Sequence, residues 1–482
     1  MERSEPTASV AQAGPEGPTD RRREAFSWQF VTPLFMSSAL NPVNSSLIAT
    51  ALVPIAHAMR VSVGQTAVLV SALYLASSIA QPTAGKLAEV IGPRRIICVG
   101  IALVFLGGVV GGIGQDLATL TIARVLIGIG TSCGYPAAMV IIRRRAAWAG
   151  MAEPPGGVLG GIAIAGTVTI AVGPPIGGVL VAALSWRAAF LINIPITVIA
   201  MLLTLAWVPK DPPFERLPLR ELASRIDVGG IALFGGTMTA LLVFLLSLPS
   251  PDWIPLGIAV ALSAALVLWE LRAATPFLDV RLLVSNLALS RTYLRGALTL
   301  LAFYTVLYGV TQWMEAARGL STQEAGLVLL PMGIVAATVS RPISARNLVR
   351  GPLIIGAATL VAASALVALL TVSTPVPAII GVTLLFAVTL GATTVGNQTA
   401  LYAQAPAEQV GTAAGLYRTF SYVGSIASST ITGIVFRSQV TDSGLHLIAA
   451  ILAGAAIVVL ALTVLDRTLR TPKASPPVDD KP

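Results

Sequence analysis

The apolar residues of this chain come in fourteen blocks, most of them about as long as a helix needs to be to cross a hydrocarbon core of roughly 30 Å. They lie at 30–56, 66–85, 96–114, 120–142, 156–184, 188–208, 229–248, 254–271, 296–314, 324–339, 352–371, 376–398, 410–436 and 447–465. A backbone in lipid must satisfy its N–H and C=O groups inside its own segment, so each block is expected to be a helix. Composition agrees. The 482 residues are 55 % apolar and 11 % charged, against roughly a quarter charged in soluble domains, and a soluble protein so poor in charge could not cover its surface. The polar stretch before the first block ends in Arg21-Arg22-Arg23. The block after it is too long for a signal-peptide core and is expected to remain as the first span.

Net charge is +9, which invites a nucleic-acid reading until the charges are placed. With fourteen spans, both chain ends lie on one side together with every second loop. Of the 31 Lys and Arg, 25 fall on that side, four (Arg60, Arg187, Arg318 and Arg437) on the other, and two (Arg124 and Arg418) inside spans. Positive loops mark the cytoplasmic side. The charge is therefore a topology signal. It places both termini in the cytoplasm of a plasma (inner) membrane and excludes a nucleic-acid partner. Arginine-rich, lysine-poor usage points to a bacterial source. Cys98 and Cys133 both fall inside apolar blocks, so neither a disulfide framework nor a metal site is expected, and nothing calls for a cofactor.

The expected fold class is all-α integral membrane: about 14 transmembrane helices, as two six-helix halves plus two extra central helices. Residues 1–29 form an N-terminal tail and 30–208 the first six spans. A charged linker and two extra spans take up 209–284. The last six spans occupy 285–466, and 467–482 is a second tail. A short internal echo supports two related halves: Pro82-Thr-Ala-Gly85-Lys86 with Gly92-Pro93 after span 2, and Pro342-Ile-Ser-Ala345-Arg346 with Gly351-Pro352 after span 10. Related halves around a midplane site are a common transporter plan.

Within spans, polar residues recur at helical spacing. Asn41, Asn44 and Ser45 share a face in span 1; Tyr74, Ser77, Ser78 and Gln81 in span 2; Tyr304, Tyr308 and Gln312 in span 9; Arg418, Ser421, Tyr422 and Ser425 in span 13. Polar faces turn away from lipid. Helix-to-helix hydrogen bonding would account for any one set, while four sets together predict a shared cavity. In span 5, Gly161, Ala165, Thr169, Gly173 and Gly177 recur every four residues, a stripe that lets a neighbouring helix approach closely. Pro174 and Pro175 should bend that helix. Arg124 is costly in hydrocarbon, at least ~2.5–3.5 kcal/mol, and must meet a partner or a wet cavity; backbone carbonyls would serve as well as a functional partner.

Three of these segments together resemble the major facilitator superfamily. Gly85-Lys-Leu-Ala-Glu89-Val-Ile-Gly92-Pro-Arg94-Arg95 is similar to its loop after span 2, with Glu89 in the usual Asp place. Leu120-Thr-Ile-Ala-Arg124-Val-Leu-Ile-Gly128-Ile-Gly130 is similar to its span-4 arginine motif. Gly173-Pro174-Pro175-Ile176-Gly177-Gly178 is similar to its antiporter motif in span 5. Asp227-Val-Gly229-Gly230, Trp186-Arg187 and the span count point to the fourteen-span drug–proton antiporter branch, a resemblance that covers residues 30–465. It implies alternating access, a gating latch at Gly85, Glu89 and Arg94, proton coupling at Arg124, and a hinge at Gly173, Pro174, Gly177 and Gly178. The sequence departs from that branch in span 1. The usual acidic residue is replaced in Leu40-Asn41-Pro42-Val43, and no carboxylate stands well inside any block; Asp116, Glu270 and Glu315 lie near block ends.

The resulting expectation is a monomeric secondary transporter in a lipid bilayer. It would expel a small amphiphilic molecule or drug, with protons as the candidate coupling ion. Asn41, Asn44, Tyr74, Gln81, Tyr304, Tyr308, Gln312, Arg418 and Tyr422 would line the substrate cavity. Asn41 cannot ionise, and Arg418 has no carboxylate in its span. Both favour an alternative, the export or uniport of an anionic metabolite without proton coupling through span 1. A non-transporting membrane sensor is a further alternative. An enzyme is disfavoured: no P-loop, HExxH or nucleophile-elbow pattern occurs, and His57 and His446 are the only histidines.

Overall fold

The structure, a computed structural model, describes residues 25–151, 156–213, 226–248, 250–274, 276–346, 348–405 and 410–469, with a few isolated positions between them. Its long helices are α1 (Trp28–Met59), α2 (Val63–Val90), α3 (Pro93–Ile113), α4 (Leu117–Trp148), α5 (Gly156–Ala183), α6 (Ala188–Trp207), α7 (Val228–Ser247), α8 (Trp253–Glu270), α9 (Leu287–Ala316), α10 (Thr322–Ala345), α11 (Arg350–Val367), α12 (Val376–Gln404), α13 (Val410–Val435) and α14 (Asp442–Leu465). Among the described residues, twelve of these are long and apolar enough to cross a membrane, all but α5 and α13. The sequence pattern predicts fourteen. α13 falls short because it is rich in Gly, Ser and Thr and carries Arg418. α5 is 28 residues long, of which Val168–Ala183 is the apolar stretch among the described residues.

Helix starts are written into the sequence. Ser62 with Gln65 and Ser321 with Glu324 form capping boxes at α2 and α10, while Asp116, Asp252 and Thr441 accept from the first free amides of α4, α8 and α14. Such caps satisfy donors that have no partner in the helix. Burial is inverted relative to a soluble protein. Leu106, Leu202, Ile258 and Ile457 are exposed, whereas Asn44, Ser45, Ser77 and Thr131 are buried. That distribution suits hydrocarbon outside and polar contacts within.

Helices α1–α6 pack as one bundle and α9–α14 as another, with the same pattern of neighbours. In the first, α1 lies on α5, α2 on α4, and α3 on both α4 and α6; in the second, α9 lies on α13, α10 on α12, and α11 on both α12 and α14. The bundles meet through α5 against α10 and α2 against α13, pairs that exchange when one bundle is mapped onto the other.

The hairpin of α7 and α8 stands outside both bundles, with α7 touching α2 and α13. Its base is knotted by Asp227, one of two non-glycine residues at positive φ (58°) among the described residues. The Asp227 carboxylate accepts from Gly230 N (3.0 Å), Trp269 Nε1 (2.8 Å) and Phe277 N (2.8 Å). Lys86, near the end of α2, donates to the Pro276 carbonyl at 3.1 Å, so the hairpin base is tied to the last turns of α2. Glu270 is the last residue of α8, near a block end as the pattern places it. It is buried and accepts from Leu278 N at 3.1 Å.

A correction concerns α9, which starts at Leu287 rather than near 296. Arg295 therefore lies inside the helix, fully buried, where the sequence pattern places it in a cytoplasmic loop. Its Nη1 is 3.8 Å from Asp466 Oδ2, its Nε donates to Asn397 Oδ1 at 2.6 Å, and its Nη2 to Thr292 Oγ1 at 2.9 Å. Arg291 reaches the same carboxylate at 3.6 Å. Asp466, directly after α14, thus binds the end of the second bundle to its beginning. Removing one partner of a buried pair leaves an uncompensated charge. Asp466→Ala is expected to cost about 3–5 kcal/mol, seen as a lowered thermal midpoint of purified protein. The double change Arg295→Met with Asp466→Leu should recover much of that loss, and a midpoint unmoved by Asp466→Ala would refute the pairing.

Candidate functional site

The polar faces of α2, α9 and α13 converge where the two bundles meet. Tyr308 donates to the Ser45 carbonyl of α1 at 2.7 Å, which leaves its oxygen to accept from the Tyr74 hydroxyl at 3.0 Å. Tyr304 and Tyr308 stack at 5.6 Å between ring centroids; Tyr74 lies 5.1 Å from Tyr304 and 6.0 Å from Tyr422. Tyr422 donates to Gln81 Oε1 across the interface. Four tyrosines from both bundles thus form one ladder, with Gln81 at one end and the Ser45 carbonyl at the other. Tyr308 lies in a π-helical turn, Val306–Val310, a widened turn often found at functional sites.

Arg418 extends the ladder toward the end of the molecule that carries Trp28 and Leu465. Its guanidinium carbon sits 3.5 Å over the Tyr135 ring of α4, and Tyr422 is one turn away. Arg124 is 2 % exposed. Its Nε donates to the Leu69 carbonyl (3.0 Å) and its Nη1 to the Asn44 carbonyl (3.1 Å), while Nη2 has no hydrogen-bond partner among the described residues. In this conformation Arg124 is held by backbone of α1 and α2.

The other predicted cavity residues are dispersed. Asn41 is half-buried and donates to Ser77 Oγ (3.2 Å) and Thr131 Oγ1 (3.0 Å). Asn44 is turned into the first bundle, where it exchanges hydrogen bonds with Asn193 of α6 at 2.8 and 3.0 Å. Gln312 is buried further along α9; its Oε1 and both Glu315 oxygens have no hydrogen-bond partner among the described residues. Asp116 is exposed at the α4 cap, where the Thr119 amide holds its carboxyl below the usual range.

The predicted gating residues divide by what they touch. A Cβ on Gly173 would strike Ser46, and one on Gly177 would come within 2.5 Å of the Leu47 carbonyl, so these glycines seat α5 on α1 inside the first bundle. A Cβ on Gly178 would come within 2.6 Å of the Thr322 carbonyl, and one on Gly326 of α10 within 2.6 Å of the Pro174 carbonyl. The second face of α5 is therefore the contact between bundles. The segment expected as a loop after span 2 is helical as far as Val90: Gly85 and Glu89 sit on the last turns of α2, where a Cβ on Gly85 would meet Pro136 Cβ at 3.6 Å and Glu89 is exposed. The carboxylate that meets this segment's arginines is that of Asp211, which accepts from the amides of Arg94 (3.2 Å) and Arg95 (2.8 Å). Gly92 needs its φ of +122° and its missing side chain because Asp211 occupies that space.

Sequence reasoning missed Tyr135, Asp211 and the hydroxyl pair Ser71 and Ser429, 2.7 Å apart between α2 and α13. Tyr135 left a faint signal, an aromatic between Gly134 and Pro136 at the break in α4. At the end opposite the termini the bundles touch backbone to backbone: Gly64 N donates to the Phe436 carbonyl at 3.2 Å, and a Cβ on Gly64 would meet Arg437 backbone.

Two helical bundles joined by small residues around a polar centre have the architecture of a membrane transporter. The profile of the Major Facilitator Superfamily matches residues 34–429, and the chain belongs to that family. It is therefore a multi-pass membrane protein of a family that moves small molecules across bilayers. It is 31 % identical over 440 residues to the uncharacterized MFS-type transporter YwoD of Bacillus subtilis, covering 90 % of this chain and 96 % of that one. It is 29 % identical over 434 residues to the tetracenomycin C resistance and export protein of Streptomyces glaucescens, covering 86 % and 77 %. Among solved structures, a POT family transporter in complex with 5-aminolevulinic acid shares the fold, with a TM-score of 0.65 at 14 % identity over 92 % of this chain and 96 % of that one.

The two faces of α5 separate two effects. Gly177→Val should destabilise the first bundle and lower the thermal midpoint. Gly178→Val should leave the midpoint within a few degrees yet hold α5 off α10, abolishing transport. Spin labels on the two bundles would read a widened distance at the Phe436 end in Gly178→Val; an unchanged distance with normal flux would refute the assignment.

Proposed function

We infer that this chain is a fourteen-span exporter of small amphiphilic molecules, working by alternating access, with α5 and α13 completing the set of spans. Helices α1–α6 and α9–α14 act as the two moving halves, and residues 209–284 connect them. The observation that carries the reading is the tyrosine ladder, built from both bundles at the plane where they meet. A molecule bound there touches α2, α9 and α13 together, so its binding biases how the bundles tilt. The tetracenomycin C exporter among the relatives supports efflux as the direction. Arg418 on Tyr135 forms the latch at the terminal end, beside the brace of the first bundle made by Gly85, Arg94 and Asp211, while Gly178 and Gly326 form the contact that parts when the far end opens. Both chain ends lie in the cytoplasm of a bacterial plasma membrane, and the working unit is a monomer.

Proton coupling through span 1 is not part of this reading. Asn41 has no ionisable group and bonds to Ser77 and Thr131, so a proton gradient would have to act elsewhere. In proteoliposomes, flux of tetracenomycin C as a trial substrate should respond little to an imposed pH gradient, and Asn41→Asp should introduce such a response. A wild-type response as strong as that of Asn41→Asp would overturn this part of the reading. Reporter fusions at residues 1 and 482 should both report the cytoplasm. A periplasmic signal from either end would sink the fourteen-span topology.

A further inference from the structure

The site between the bundles carries charge of one sign. Arg418 lies half-buried on Tyr135 of the opposite bundle, and the ionisable groups that act on it are phenols, those of Tyr422 and Tyr402 besides Tyr135. Arg124 stands beside Tyr74 and Tyr308 at the other end of the ladder. It is 2 % exposed, with one guanidinium nitrogen unpartnered among the described residues. The buried carboxylates among those residues are elsewhere. Asp227 and Glu270 hold the hairpin base, Asp466 lies against Arg295, and Glu315 is near the end of α9. The tyrosine ladder is thus bracketed by two guanidinium groups with no counter-charge in it.

That arrangement discriminates by sign. A cationic molecule placed among the tyrosines would feel two like charges in a medium where charges are weakly screened, and it would find no anion to offset its lost hydration. An anion would gain from both. A guanidinium is suited to a carboxylate or phenolate oxygen because its donors form a planar fork. The rings of Tyr74, Tyr304 and Tyr422 offer faces and edges to a flat aromatic body. An arginine that only snorkelled would stretch toward the bilayer surface; this one crosses to the other bundle and settles on Tyr135. Held there, it would be drawn off the ring by an incoming anion and would loosen a contact between the bundles as it moved.

We propose that the tyrosine-lined site binds aromatic molecules that carry a carboxylate or phenolate, with Arg418 taking the anionic group and the tyrosine ladder taking the rings. This deepens the exporter reading and rests on it for the site's location. The test uses two xanthene dyes of similar shape and opposite charge, fluorescein and rhodamine 123, with the purified full chain and fluorescence anisotropy at pH 8. Fluorescein is expected to bind at least tenfold more tightly than rhodamine 123. Arg418→Gln should weaken fluorescein tenfold or more, with Arg418→Lys in between. Gln81→Glu sets a carboxylate beside Tyr422 and should reverse the order of the dyes, so it carries the test if Arg418→Gln does not fold. Rhodamine 123 binding as tightly as fluorescein, binding of neither dye, or fluorescein binding unmoved by both variants would overturn the proposal. Flux separates it from the exporter reading. Fluorescein bound but not moved in proteoliposomes refutes transport and leaves the site, whereas rhodamine 123 moved with fluorescein ignored refutes the site and leaves transport.

Discussion

Hydrocarbon gives apolar helix faces no reason to leave it, so these helices are held by close backbone approach and by hydrogen bonds that lipid cannot supply. Everything else in the molecule follows from where those two resources are placed. Small residues let α5 press against α1 on one face and α10 on the other. Hydroxyls and amides, such as Asn44 with Asn193 and Ser71 with Ser429, stitch within and between bundles. Contacts of the first kind tolerate sliding and tilting better than a jigsaw of large side chains, because a glycine face presents little to interlock. A transporter needs that property at the plane between its moving parts.

Much of this was legible in the sequence because lipid imposes simple rules. Block length marks the helices, and the spacing of Tyr74 and Gln81, or of Tyr304 and Tyr308, marks the faces that converge. What stayed hidden has one physical origin: the pairing of groups far apart in the chain. Nothing at Arg295 announces Asp466, 171 positions on. α9 begins at Leu287, ahead of the apolar block, so Arg295, a loop charge by the block pattern, lies buried within the helix. Asn44 shares the spacing of Asn41, yet it found Asn193 and turned away from the centre. Asp211 answers Arg94 and Arg95 in place of the nearer Glu89, because a carboxylate gains more from the free amides at the start of a helix than from exposed cations.

The hairpin of α7 and α8 shows how an insertion can be accommodated without disturbing a two-bundle plan. It contributes little burial, and its outer residues such as Ile258 and Val260 face lipid. Its cost is concentrated at the base, where the chain must leave one bundle, make two crossings and rejoin the other. Asp227 meets that demand in a left-handed conformation, with its carboxylate serving the cap of α7, the indole of Trp269 and the amide of Phe277. Charge-assisted bonds of this kind are roughly twice as strong as neutral ones, which suits a junction that has few apolar contacts to rely on.

The contacts that join the bundles differ in kind along their length. At the Phe436 end they are backbone to backbone, Gly64 to Phe436 and Gly178 to Thr322. At the opposite end the described link is a guanidinium lying on a phenol ring, Arg418 on Tyr135. A cation on a ring is worth about 0.5–2 kcal/mol and has no fixed in-plane register, whereas close-packed backbone must separate as a unit. The tyrosine ladder lies between the two. Its hydroxyl bonds, Tyr74 to Tyr308 and Tyr422 to Gln81, each join one bundle to the other. A ligand that replaces them takes over the bonds that hold the halves in register, so occupancy and tilt are coupled through the same few phenols.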